Sequence, residues 1–94
     1  MDIKAYAQWE EHGGSFSDFA KPGDLVDERI ADHFLNCVPP ASFERGYIQG
    51  GEPYSHEKDE TTGRYRPTFA TFKREGDAWL YCGNCFVNET TNRR

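Results

Sequence analysis

The sequence predicts an α+β domain spanning 1–94, with two N-terminal helices packed on a small antiparallel sheet built from the C-terminal half. Three observations predict it. Apolar residues recur at helical spacing only before Pro39-Pro40, β-rich and turn-rich segments alternate after it, and 94 residues suffice for one core and no more.

The first helix is expected over Ile3–His12, with Asp2 as its cap, Ile3, Tyr6 and Ala7 on one face, and Gly13-Gly14 ending it. Ser15 to Phe19 reads as a connector with two rings to bury. The turn at Lys21-Pro22-Gly23 should deliver Asp24 as the cap of a second helix. From Leu25 onward, Val26, Ile30, Phe34 and Cys37 form its apolar stripe, with Leu35 and Val38 beside it. Pro39-Pro40 must stop this helix, because proline lacks the N–H that the ladder needs.

Beyond the prolines, Phe43, Tyr47 and Ile48 suggest a short extended segment, and Gly50 to His56 a rigid loop. Glu57 to Gly63 is polar and turn-rich, the stretch expected to move most. Tyr65 to Phe72 has strand composition, although Pro67 should confine it to an edge or to a late start. Lys73 to Asp77 is a hairpin turn, and Ala78 to Tyr81 returns as a strand. Cys82-Gly83-Asn84-Cys85 resembles a second hairpin before Phe86-Val87, and Asn88 to Arg94 reads as a frayed tail.

Hydrophobic residues make up 36% of the chain and charged ones 29%, so the core is thin. Aromatic residues, 15%, compensate, since each large ring buries about 150–250 Å². No run of apolar residues is long enough to cross a bilayer, and the start MDIKAYAQWEEHGG lacks a signal pattern, so a soluble cytoplasmic protein is expected.

The formal charge is −5, and its placement is uneven: residues 1 to 36 hold eight acids and three bases, residues 37 to 94 eight of each. That balance repels phosphate backbones and argues against direct nucleic-acid binding; a partner surface rich in Lys and Arg is the complement. Rings among the acids, Trp9, Phe16 and Phe19, suit either a binding surface with anchors or the glue that holds the first helix to the sheet.

Cys82-x-x-Cys85 is the sharpest local spacing, since two thiolates three positions apart can share a tetrahedral ion. Cys37, with His33 or His56, could complete a zinc site, but the paired spacing of a second half-site is missing. A redox dithiol and plain core thiols are the competing readings. The redox reading lacks the helix start that lowers a thiol pKa. Glu52 and His56 could form an acid/base pair, yet no nucleophile motif accompanies them, and a turn held by Pro53 explains the same residues. His33 should border the core, and His12 should place a cation at the end of the first helix.

The segments Val26 to Pro40, Gly51-Glu52-Pro53-Tyr54-Ser55-His56, Thr71-Phe72 and Trp79 to Cys85 carry a resemblance to small uncharacterised proteins borne by proteobacterial plasmids and phages. The resemblance implies no activity and no residue role. By size, charge and genomic kind alone, the chain is similar to anti-CRISPR and antirestriction proteins, which occlude or mimic nucleic acid.

The function these readings lead to is a non-catalytic inhibitor of host defence, most concretely an anti-CRISPR protein. Glu10, Glu11, Asp24, Asp27, Glu28 and Asp32, with Trp9 as anchor, would dock on the Lys/Arg surface by which a CRISPR effector holds nucleic acid. No cofactor is needed, and a monomer or a homodimer would serve. The alternatives are a zinc-stapled accessory module held by Cys37, His56, Cys82 and Cys85, and a small enzyme using Glu52 and His56.

Overall fold

The computed structural model describes residues 2–35, 41–44, 46–50 and 53–92. In chain order its elements are β1 (Ile3–Lys4), α1 (Tyr6–His12), α2 (Phe16–Phe19), β2 (Leu25–Val26), α3 (Glu28–Leu35), β3 (Ala41–Glu44), β4 (Tyr47–Gln49), β5 (Ser55–Lys58), β6 (Tyr65–Glu75) and β7 (Ala78–Phe86). The fold is α+β. Its sheet, however, is mixed and runs β1-β2-β7-β6-β4-β3, with β5 beside β6. The wholly antiparallel, C-terminal sheet expected from sequence is corrected by β1 and β2, which pair in parallel at the edge.

Those two short strands also shorten the expected helices. Ile3 and Lys4 pair with Leu25 and Val26, so the first helix cannot begin until Tyr6. Asp2 does not cap it; Ala5 occupies the cap position, and its N–H donates to the Gln8 side chain at 2.7 Å. Gly13 does end it, in the left-handed region at φ 74°. The connector at Phe16 is in fact a one-turn helix. Leu25 and Val26 belong to β2, which moves the start of the last helix to Glu28 and its cap from Asp24 to Asp27. Cys37, Val38 and Pro39-Pro40 lie outside the described residues.

In the second half, β3 and β4 form a hairpin in place of the single extended segment. Ser55 to Lys58 joins the sheet, so the rigid loop and the polar stretch both give up residues to β5. What remains of the polar stretch is a closed turn. The Asp59 carboxylate accepts from the Thr61 N–H at 2.9 Å and from Arg66 at 2.8 Å, and the Asp59 N–H donates to the Arg64 carbonyl. β6 is central, not an edge. Pro67 is tolerated because β5 alone pairs there, opposite His56, and β7 begins its pairing only at Thr68. The β6–β7 turn is tighter than expected, with Gly76 (φ 62°) and Asp77 as its two residues.

The second hairpin does not exist. Cys82 to Cys85 lies inside β7, where Thr71 pairs with Gly83 and Phe72 with Tyr81, so that Cys82 is the extra residue of a β-bulge. Gly83 supplies the positive φ of 94°. The bulge resets alternation, so Tyr81, Asn84 and Phe86 share the face of Phe72, Ala70 and Thr68, while Cys82 and Cys85 face the other way with Thr71 and Leu80.

Phe16, Ala20, Val26, Ile30, Ala31, Ala70, Phe72 and Tyr81 form the core, beneath the helices. Rings dominate it: Phe16 meets Trp9, Phe34 and Tyr81 edge-on at 5.1, 4.8 and 4.9 Å. The tail is anchored at least as far as Asn92. Gln49, buried, donates through Nε2 to Thr71 Oγ1 and to the carbonyls of Phe86 and Glu89, and accepts from the Asn88 N–H at 3.0 Å. No helix among the described residues is long and apolar enough to cross a membrane.

Candidate functional site

The six carboxylates expected to dock a partner have different fates. Asp27 is structural. Its Oδ1 accepts from the Ile30 N–H at 3.0 Å and its Oδ2 from the Tyr6 N–H at 2.9 Å, so one side chain closes the starts of α3 and α1. Asp24 accepts from the Lys21 N–H at 2.9 Å and sits 3.9 Å from the Lys4 ammonium. Glu28 lies 3.8 Å from Arg74 in an exposed ion pair. Glu10, Glu11 and Asp32 are exposed and have no ion pair or hydrogen bond among the described residues.

Trp9 is only partly buried, but it is engaged in the fold: its ring stacks on Phe34 at 5.5 Å and 15° and takes the His33 ring edge-on at 4.8 Å. Phe16 belongs to the core cluster, and Phe19, partly buried, packs against it. The packing role thus accounts for all three rings. His33 is exposed and rests on Trp9, and His12 occupies the last turn of α1, near Phe19 at 5.7 Å. Between α1 and α3 runs a shallow groove of about 250 Å³ lined by Tyr6, Arg29, Asp32 and His33, with the Arg29 guanidinium 4.7 Å over the Tyr6 ring.

The cysteine site is not assembled from the described residues. Among them no three His, Cys, Asp or Glu side chains gather as metal ligands, so Cys82, Cys85 and His56 do not form three corners of one site. His56 is exposed on β5, opposite Pro67. Cys37 lies outside the described residues. Burial, followed by repulsion from neighbouring Cys85, pushes the Cys82 thiol up to about 11, and Cys85 is fully buried. A thiol held as high as that of Cys82 is a poor nucleophile near neutral pH, which speaks against the redox reading. Glu52, the other half of the acid/base pair, also lies outside the described residues.

One cleft had no signal in the sequence. It opens between α2 with its following turn and the bulged part of β7, and it holds about 260 Å³. Tyr81 and Asn84 line it from the sheet, Ser17, Asp18 and Lys21 from the helix side, and Asn92 from the tail. Only the bulge turns Asn84 toward this side, and a hairpin reading of Cys82 to Cys85 hides it. Comparison with protein-family models, with curated proteins and with solved structures finds no match.

Proposed function

We propose that the chain is a non-catalytic protein-binding inhibitor that seats its acidic N-terminal elements on a cationic protein surface. In its most concrete form it is an anti-CRISPR protein that keeps nucleic acid off a CRISPR effector. The observation that supports this reading is that Glu10, Glu11 and Asp32 remain exposed and make no ion pair among the described residues, on α1 and α3, two helices held side by side by Asp27 and by the Trp9–Phe34 stack. Carboxylates on a fixed frame meet guanidinium groups at little entropic cost, and the displaced nucleic acid loses its phosphate contacts. Asp24, Asp27 and Glu28 take the lesser part, since each already has a partner inside the fold.

The test is to capture a partner from host-cell lysate with the unaltered protein, identify it by mass spectrometry, and measure its binding to a triple reversal, Glu10→Lys, Glu11→Lys and Asp32→Lys. Weaker binding with a flatter salt dependence is expected, together with competition between the unaltered protein and nucleic acid for the partner. Affinity and salt slope that do not respond to the reversal would remove the electrostatic mechanism.

A further inference from the structure

The cleft between α2 and β7 contains polar groups that the fold does not satisfy. Asn84 is 1% exposed, and its side-chain oxygen accepts from the Tyr81 hydroxyl at 2.8 Å. Its amide nitrogen has no hydrogen-bond partner among the described residues. Asn92 is oriented by the backbone: its oxygen must face the Asn84 N–H, at 3.0 Å, which leaves its own NH2 group to point elsewhere, again with no partner among the described residues. Asn84 and Asn92 both line the cleft, so each keeps NH2 hydrogens to offer to a ligand oxygen there.

The rim adds one charge of each sign. Lys21 donates to the Ser17 carbonyl at 2.9 Å and has further N–H groups to offer; Asp18 accepts from the Ser15 hydroxyl at 3.0 Å and retains lone pairs. A simple carboxylate would satisfy the amides and Lys21 but would face Asp18. A simple amine would satisfy Asp18 and leave the amides bare. A volume of about 260 Å³ falls just below the usual range for drug-sized ligands, which limits the occupant to a small metabolite. We propose that this cleft binds a free α-amino acid as its zwitterion, the carboxylate on Asn84, Asn92 and Lys21 and the ammonium on Asp18.

The experiment is a titration of isotope-labelled full-length protein with each proteinogenic amino acid at millimolar concentration, followed by the side-chain amide resonances of Asn84 and Asn92. At least one amino acid should give saturable shifts at both, while propionate and methylamine bind at least about tenfold more weakly. Asp18→Asn and Lys21→Met are surface changes that leave the floor intact, and each should weaken binding about tenfold with the circular dichroism unchanged. The proposal is overturned if no amino acid shifts these resonances, if propionate or methylamine binds as tightly, or if both variants bind as the unaltered protein does.

Discussion

At the scale of single residues, Asp27 and Gln49 each hold several backbone groups that would otherwise be unpaired. Asp27 caps two helices with one carboxylate, so Asp27→Ala should destabilise the fold by about 1–4 kcal/mol, the sum of two lost caps, whereas Asp27→Asn should cost about half as much, because its single amide oxygen can serve only one of the two N–H groups while its NH2 group faces the other. Urea denaturation of the pair distinguishes a capping role from a purely electrostatic one. Gln49 ties β4 to β6, to the end of β7 and to the tail, and Gln49→Ala should cost roughly 1–3 kcal/mol by stranding buried partners. Cys82 offers a pH test. With its thiol raised to about 11, the neutral form persists through ordinary alkaline conditions. At pH 8 it should hold about a hundredfold less thiolate than a free cysteine and alkylate correspondingly slowly, accelerating as pH climbs toward 11. Fast labelling at pH 8 in the folded state would contradict that burial. The capping role of Asp27 was half legible. An acid just ahead of an apolar stripe signals a cap, but choosing between Asp24 and Asp27 required knowing that Leu25 and Val26 pair with other strands.

At the scale of elements, legibility followed how much of each signal is local. Gly13 after a helical pattern and the Gly76-Asp77 turn between two strands are local instructions, and the structure uses both. The two-residue strands β1 and β2 carry no periodicity of their own; they exist because Lys4 and Val26 meet across more than twenty positions, which no local pattern reports. Cys82-Gly83-Asn84-Cys85 misled for the opposite reason. Gly-Asn satisfies a hairpin turn, but the partner strand β6 is long enough to continue pairing past it, and the glycine is spent on a bulge. A side chain at Gly83 would meet both a positive φ and Asn92, whose oxygen lies 2.5 Å from where a Cβ would stand. Gly83→Ala should therefore cost at least about 1–2 kcal/mol and release the tail, read as a lower unfolding midpoint and faster proteolysis beyond Phe86.

At the scale of the whole molecule, protection should be graded from the middle of the sheet outward. β6 and β7 pair over eight positions beneath the aromatic core, while β1 and β2 contribute two pairs at one edge. Amide hydrogen exchange should be slowest at Ala70, Phe72 and Tyr81 and fastest around Ile3 and Leu25; uniform protection would mean that the edge folds and unfolds with the centre. The α+β class was readable because it depends on composition summed over many residues. The distribution of free charge was not, since the acid excess of the first third is visible in sequence but its internal use by Asp24, Asp27 and Glu28 is not. The bulge, finally, bears on how the chain can change in length. Because Cys82 is the supernumerary position of its strand, removing it would leave Tyr81 before Gly83 with their present partners, and no later side chain would swap sides. Deleting a neighbour such as Leu80 would instead invert the inside-outside parity of everything between it and the bulge. Deletion of Cys82 should therefore lower the urea unfolding midpoint less than deletion of Leu80 does.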